Sequence, residues 1–598
     1  MESSTRKKTI RTGTEKRAHL PKLPFHNIAI SLSGGGFRAT SIHLGVLSYL
    51  STKKINGTSL LERVRVLSTV SAGTFAGVKY VTTIKKGGTI EDCYKSLYRF
   101  MTDYELVEHA LEYLADDANW QEGRQRSLIT AFSSMYFREF EKEKFGLVWD
   151  ATTPIHLKEM SFNATEFNFA LPFHFHKTEK SYAKSFHEYI GNRKIHIPVE
   201  MAKEIRFSDI IAASSCFPFG FEPINFPDDF VYEGAQKLKD KFLLPHNVFD
   251  GDKIEYPIGL MDGGVDDNQG VDAILAAEWR MKHYPEELKE FRSEDKKAVD
   301  LYILSDGTNP TMESYIRSNT ETMQWIGNWN FKSLRRFGIM SAMIGLIAVL
   351  YACASDIKAM IILCSVFGTI GVLVALFLLI ASMGFVGLTK RVGVPDFFAK
   401  RLHHVDKLKF GIINNLLLNR RKSAMKMVTK VFIKHMRWFS FERVYGDPVW
   451  RPRLIMNAVF ELTESEVAKR GNKYPYFTNE LKEPGPQIMD VAARSLKMGT
   501  TLWFSPEQLE GEKNLPNTVI ACGHFTICFN LLEYFEKYIF NKNYKADYDK
   551  YSAELKDELA LLHVSLLEDW RKFKENPYWM VEEWNAKLGL NRTDSSAS

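Results

Sequence analysis

Apolar runs of strand length, each closed by small residues and followed by a helix-period segment, set the pattern from residue 27 onward. Asn27–Leu32 is one such run; a turn, Ser33-Gly34-Gly35-Gly36, and a helical segment over Thr40–Leu50 follow it. Val64–Val70 repeats the strand, and Ser71-Ala72-Gly73 opens a second, small-residue helix. Strand, turn and helix in alternation predict a sheet of parallel strands joined by crossover helices. Further strand patterns occupy Glu166–Ala170, Ile254–Met261, Val299–Leu304 and Arg453–Leu462. Met489–Phe504 and Thr518–Phe535 predict helices, and Tyr544–Lys574 a charged amphipathic one. No internal repeat is present.

The pattern breaks at residue 337. Phe337–Ser355 is nineteen residues without a charge and Ala359–Thr389 about thirty, parted only by Asp356 and Lys358. About twenty apolar residues cross a bilayer, so the two stretches predict a transmembrane helical hairpin over 337–389, the form in which backbone groups satisfy themselves in lipid. A hairpin buried in a soluble core is the bland alternative, but neither stretch carries a polar stripe. Lys332, Arg335 and Arg336 precede the first span; Lys390, Arg391, Lys400 and Arg401 follow the second. Basic residues at both outer ends predict an integral membrane protein with both termini, and the strand-bearing domain, on the cytoplasmic face. From Lys390 to Arg437 thirteen basic residues stand against Asp396 and Asp406, with Phe397, Phe398, Phe410, Trp438 and Phe439 among or beside them. Each such charge gains about 1 kcal/mol at an anionic leaflet. A nucleic-acid patch would carry the same charge, but beside a membrane hairpin anionic lipid headgroups are the simpler partner of 390–437, and no nucleic acid is expected.

Composition narrows the class. The 598 residues are 45% hydrophobic and 25% charged, a globular balance that excludes disordered and fibrous chains, and the net charge is only +6. Six cysteines, with Cys353 and Cys364 inside the apolar stretches, are too few and scattered for a disulfide framework and read as reduced thiols. The basic start, MESSTRKKTIRTGTEKRAHLPKL, has no apolar segment of the kind that marks a secretion signal.

Three stretches carry candidate chemistry. A glycine turn between strand and helix points several backbone N–H groups at one spot with a helix N-terminus behind them, which suits a phosphate or a developing oxyanion. Gly34-x-Gly36-x-x-Ala39 also meets the loose dinucleotide fingerprint, but the next strand offers Arg65 where that site needs an acidic residue. Thr69-Val70-Ser71-Ala72-Gly73 sets a serine between strand and helix among small residues, the shape of a nucleophile elbow. Taken alone, such a serine is more often a helix cap. Asp262-Gly263-Gly264 follows an apolar approach, Tyr256–Met261, and a carboxylate there, shielded from water, has a raised pKa that suits a base near neutral pH. Asp-Gly is also a common turn dipeptide. Together, an N–H-rich turn, a serine and a carboxylate are the parts acyl transfer requires.

Ser-Gly-Gly-Gly-x-Arg at 33–38, then x-x-Ser71-x-Gly73, then Asp262-Gly263-Gly264 resemble, in that order, the patatin-like phospholipase family. Phe162-Asn163-Ala164-Thr165 and Ile211–Pro218 fit two further blocks, so the likeness runs from about Phe25 to Asp306. The resemblance implies an α/β fold: a three-layer α/β/α sandwich with a mainly parallel central sheet, here with an inserted transmembrane hairpin. It implies a Ser–Asp dyad without histidine, Ser71 as nucleophile and Asp262 as base. Gly34, Gly35 and Gly36 would supply the oxyanion hole, Arg38 would hold that loop, and Ala72, Gly73, Gly263 and Gly264 would support elbow and dyad. The substrate implied is membrane phospholipid, cleaved at its acyl esters with no metal or other cofactor. Thr69 departs from the family's usual glycine, and the hairpin lies outside the family core.

The expected organisation is a basic tail (1–23), a catalytic domain (24–310), a connector (311–336), the hairpin (337–389), a basic juxtamembrane helical segment (390–444), a continuation of the catalytic domain (445–540) and a C-terminal amphipathic helix and tail (541–598). Two rival readings stand beside the dyad. One is an α/β-hydrolase-type esterase with a Ser71–Asp262–His524 triad, although a lone histidine in an apolar helix is more often a core residue. The other is a non-catalytic membrane-bound scaffold. His43 lies close to the glycine turn and reads as a helix-face residue. A homo-oligomer or a regulatory partner is left open.

Overall fold

The computed structural model describes residues 19–120, 124–140, 142–178, 190–192, 194–218, 220–230, 258–283, 299–309, 315–316, 327–391, 408–470, 477–511 and 513–590. The basic tail as far as residue 18, the approach 254–257, and Asp396, Phe397, Phe398, Lys400, Arg401 and Asp406 of the basic segment lie outside them. The chain divides into two compact units, Met1–Met312 with Val431–Ser598, and Glu313–Lys430.

The first unit is built on a ten-stranded sheet. Its strands are β1 (Ile28–Leu32), β2 (Val64–Val70), β3 (Glu159–Glu166), β4 (Leu171–Lys177), β5 (Ile190–Gly191), β6 (His196–Ile197), β7 (Ile224–Phe226), β8 (Ile258–Asp262), β9 (Leu301–Asp306) and β10 (Leu454–Ala458). Their order is β10-β9-β1-β2-β3-β4-β5-β6, with β8 on β3 and β7 on β8. From β10 to β3 the pairings are parallel; all the others are antiparallel. The sheet is therefore mixed, where the sequence suggested a mainly parallel one. The reason is a short return. Glu166–Ala170 has a strand pattern, yet the Glu166 carboxylate accepts from the N–H of Phe169 at 3.0 Å and Ala170 takes φ +52°, closing a turn. So brief a link allows only an antiparallel partner.

The helices that pack on this sheet or form the apolar hairpin include α1 (Gly36–Thr52), α2 (Gly73–Lys85), α3 (Phe207–Ser215), α4 (Val271–His283), α5 (Phe331–Ala354), α6 (Lys358–Arg391), α7 (Ile433–Tyr445), α8 (Pro486–Lys497), α9 (Leu515–Tyr534) and α10 (Ala553–Glu575). The strand period of two distributes β1 between two cores. Ile28, Ile30 and Leu32 face the core shared with α1, α2, α3, α8, α9 and α10, whereas Ala29 joins Val66, Tyr302 and Leu304 under α4 and α7. Helices thus cover both faces, giving three layers. The segment after residue 431 supplies β10 as well as α7–α10, so the C-terminal part completes this unit.

Two helices are shorter than their sequence patterns; one is α10, which begins at Ala553 where the pattern began at Tyr544. The helix expected over Met489–Phe504 ends at Lys497. Arg38 takes the carbonyl of Leu496 at 3.4 Å and also that of Met498, and the following residues bend back so that Thr501 accepts from the N–H of Phe37 at 2.8 Å. The helix α9, apolar enough by length and composition to cross a membrane, is 94% buried within the unit. It crosses α1 where Gly45 and Gly523 let the backbones touch; a Cβ at Gly45 would lie 2.3 Å from the Ile520 carbonyl oxygen.

In the second unit α5 and α6 form a hairpin with a seam of small residues. A Cβ on Gly345 would lie 2.8 Å from the Gly368 carbonyl oxygen, and Ser341 donates to the Gly371 carbonyl at 3.0 Å. Only 17% and 12% of their apolar windows are buried, leaving Ile347, Ile362 and Phe377 exposed. Phe410–Lys426 forms a further helix with no buried residue.

Candidate active site

One strand templates the site. Along one edge β3 pairs with β4; on the other its first part pairs with β2 and its last part with β8. Val70 lies opposite Asn163, and Asp262 lies opposite Ala164. The ends of β2 and β8 therefore meet over two consecutive residues. Ser71, the first residue past β2, is delivered to Asp262, the last of β8, and its Oγ donates to Asp262 Oδ2 at 2.6 Å.

Ser71 sits at φ +51°, a left-handed conformation that costs a side-chain-bearing residue about 1 kcal/mol or more. Its backbone N–H donates to Ser214 Oγ at 2.9 Å, and Ser214 Oγ donates to the Asn163 carbonyl at 2.6 Å. That spends the single hydroxyl hydrogen of Ser214. Thr74 Oγ1 must then donate to Ser214 Oγ, 2.8 Å away, and Thr69 Oγ1 to Thr74 Oγ1 at 3.0 Å. Thr69, which stands where the family has glycine, thus fastens the elbow. Its methyl fits because position 77 is glycine: a Cβ there would lie 2.3 Å from Thr69 Cγ2. Gly73 lets α2 start against β1, 2.3 Å separating a Cβ there from the Leu32 carbonyl oxygen, and buried Ala72 accepts from Thr40 Oγ1 at 2.9 Å.

Asp262 is 2% exposed, and its second oxygen accepts from the N–H of Gly264 at 2.7 Å. Burial, the largest influence, raises its pKa to about 6, against the lowering effect of the bonds from Ser71 and Gly264. Both neighbours must be small, since a Cβ on Gly263 would lie 2.4 Å from the Asn163 carbonyl oxygen and one on Gly264 2.9 Å from Asp262 Oδ1.

The glycine turn lies against this pair. A Cβ on Gly34 would be 2.8 Å from Ser71 Cβ and 3.4 Å from its Oγ. The Gly34 N–H is already spent on the Asn268 carbonyl at 3.2 Å, whereas those of Gly35 and Gly36 have no acceptor among the described residues. His43 Nε2 lies 2.8 Å from the Ser33 carbonyl, so that nitrogen carries the hydrogen and Nδ1 accepts from Ser305 Oγ at 2.9 Å. Burial lowers the pKa of His43 to about 4, keeping it neutral. Arg38 donates to the Gly307 carbonyl at 2.8 Å and so holds the turn from behind.

Residues 30–275 match the family model of the patatin-like phospholipases. The matched segment runs from within β1 to the start of α4. The chain's mixed sheet with helices on both faces is a patatin fold, and the domain type is that of lipid acyl hydrolases. Among solved structures, VipD from Legionella pneumophila aligns over 98% of this chain and 99% of its own at 12% identity, with a TM-score of 0.19, too low to carry an argument. No curated protein matches.

The patatin-like domain does not bring His524 to Ser71. That histidine is fully buried, shares a 2.8 Å hydrogen bond with Ser48 Oγ, and has its pKa lowered to about 3 by burial. Ser48 lies twelve residues along α1 from Gly36, roughly 18 Å at 1.5 Å per residue. The roles of Ser214, Asn163 and Asn268 are not visible in the sequence. Ser214 and Asn163 fall inside family-like blocks, but Ser71, which donates to Ser214, is 143 positions away, and Ser68, which accepts from the Asn163 amide at 2.8 Å, is 95 positions away. His43 carries a fainter signal, two helical turns beyond Gly36 and so on the same face. Among the described residues no His, Cys, Asp and Glu cluster able to hold a metal ion is present.

Proposed function

We propose that this chain is a membrane-anchored serine acyl hydrolase that cleaves fatty-acyl esters of membrane phospholipids with a Ser71–Asp262 dyad. The observation that carries this reading is the 2.6 Å bond between Ser71 Oγ and Asp262 inside a patatin-like domain. Asp262 takes the hydroxyl proton as Ser71 Oγ bonds to the acyl carbonyl carbon. The N–H groups of Gly35 and Gly36 receive the oxyanion. Collapse breaks the ester C–O bond, and the leaving oxygen takes the proton from Asp262, leaving an acylated Ser71. Water, deprotonated by Asp262, attacks in turn; the fatty acid leaves and the proton returns to Ser71. A pKa of about 6 leaves Asp262 ionised at neutral pH yet more basic than an ordinary carboxylate.

The anchor in this reading is the α5–α6 hairpin. Two apolar helices that cover so little of each other expose far more apolar surface than water tolerates in a monomer, and α9, equally eligible by length, differs in being almost wholly covered. Lys332, Arg335 and Arg336 at the start and Lys390 and Arg391 at the end favour a cytoplasmic catalytic domain. Exposed Arg420, Arg421 and Lys422 suit anionic headgroups. The deciding experiment is mass spectrometry of lipids released from phospholipid vesicles. Wild type is expected to release fatty acid and Ser71→Ala none. A folded wild type that neither hydrolyses lipid nor reacts with a fluorophosphonate would leave the non-catalytic scaffold.

A further inference from the structure

The catalytic unit is interrupted in sequence between Met312 and Val431, and an ion pair ties the two sides of the interruption together. Arg437, in the second turn of α7, donates to Asp306, the last residue of β9, at 2.7 Å. The Asp306 side chain has no exposure and that of Arg437 12%. The guanidinium also lies over the Phe460 ring, 5.8 Å from its centre. Arg437 ends the basic run that the sequence assigned to lipid headgroups, but it points inward.

Asp306 grips the glycine turn. Its Oδ1 accepts from the N–H and hydroxyl of Thr308 at 2.9 and 2.5 Å and lies 3.4 Å from Ser33 Oγ, whose single hydrogen it shares with the Gly34 carbonyl at 3.2 Å. Its Oδ2 accepts from Gln269 Nε2 at 2.9 Å as well as from Arg437. Ser33 directly precedes Gly34, and Gln269 directly follows Asn268, whose carbonyl holds the Gly34 N–H. One carboxylate therefore anchors the turn from both sides. A protonated carboxyl would put a hydrogen where these donors converge, so the grip needs the anion. An anion without exposure needs a cation. Burial alone would raise the pKa of Asp306, but the Arg437 charge and the bonds from Thr308 and Gln269 hold it below the usual carboxylate range.

We propose that Arg437 is a positioning residue for the oxyanion-binding turn: its charge keeps Asp306 ionised, and ionised Asp306 fixes the direction of the Gly35 and Gly36 N–H groups. The inference rests on the Ser–Asp hydrolase reading and deepens it, because it makes hydrolysis depend on the point where the chain re-enters the catalytic unit. It is tested with the full-length protein in lipid nanodiscs, on a soluble short-chain ester and by the rate of fluorophosphonate labelling at Ser71. Arg437→Met is expected to lower kcat by roughly tenfold to a hundredfold with KM nearly unchanged, and to slow labelling in proportion, less than the roughly hundredfold to thousandfold cost of losing an oxyanion donor outright, because the donors are misdirected and not removed. Arg437→Lys keeps the charge and retains more activity. Arg437→Met with Asp306→Asn recovers most of the loss, because asparagine keeps an acceptor for Ser33 and Thr308. Its amide donates to Gln269 Oε1, which has no partner among the described residues, once that side chain turns over. Wild-type kcat and labelling in Arg437→Met overturn the proposal, as does a loss that Asp306→Asn leaves untouched. If Arg437→Met does not fold, the double variant decides: activity within about tenfold of wild type supports the clamp, and a hundredfold deficit overturns it. Absence of labelling in wild type would instead remove the hydrolase reading itself.

Discussion

The methyl group of Thr69 fills the space that a side chain at position 77 would need, a Cβ on Gly77 lying 2.3 Å from Thr69 Cγ2. The family's usual glycine in the elbow has in effect moved eight residues along the chain, and the hydroxyl gained at Thr69 secures Thr74. Gly77→Ala is therefore expected to destabilise the protein by about 1–3 kcal/mol through overpacking. Thr69→Ser, which removes the methyl and keeps the hydroxyl, should restore most of the lost Tm in the same chain. Strictly additive effects of the two changes would count against this pairing.

With Asp262 as the proposed base, its protonation sets the expected acid limb of activity. With its pKa raised to about 6, log kcat/KM should climb with unit slope below that pH and level above it. The linked stability has a definite sign. The folded pKa lies above the unfolded value of 3.8, so the stabilising share is complete below pH 3.8 and is lost as pH rises through about 6. Asp262→Asn should then be inactive and, at pH 8, more stable than wild type by up to about 3 kcal/mol, the gap closing near pH 4. Denaturant midpoints at the two pH values measure it; a gap that widens in acid would refute the assignment.

Two buried histidines separate the dyad from the triad. His524→Ala should keep hydrolysis within about tenfold of wild type while lowering stability by about 1–3 kcal/mol, since Ser48 is its side-chain partner among the described residues. His43→Ala frees the Ser33 carbonyl behind the glycine turn and should lower kcat more than His524→Ala does. Loss of activity in folded His524→Ala would restore the triad.

Deleting Ile339–Leu388 removes most of the apolar hairpin. Hydrolysis of a soluble short-chain ester should survive in the purified protein, while hydrolysis of phospholipid in vesicles falls at least tenfold, because the enzyme then has to find the surface by diffusion. Equal loss on both substrates would mean that the hairpin supports the fold and not access to lipid.

Much of this was legible along the chain. Val64–Val70 is a strand at the bounds its pattern predicts, and the glycine turn, the elbow serine and Asp262-Gly263-Gly264 are set by near neighbours, because backbone conformation is a local property. Other features depend on partners distant in sequence. Nothing local to Asn163 and Ala164 says that two strands meet end to end on them. The helix after Met489 stops short because Arg38, on another element, takes its carbonyls. Composition makes α5, α6 and α9 alike, yet α9 is covered by protein and the other two are not. Arg437 belongs to a basic run by sequence and to Asp306 by structure. The sequence alone determined which groups could do chemistry and where the chain is apolar. Only the tertiary structure decided which groups meet and which apolar faces are covered, because those outcomes depend on burial and on hydrogen bonds between residues far apart along the chain.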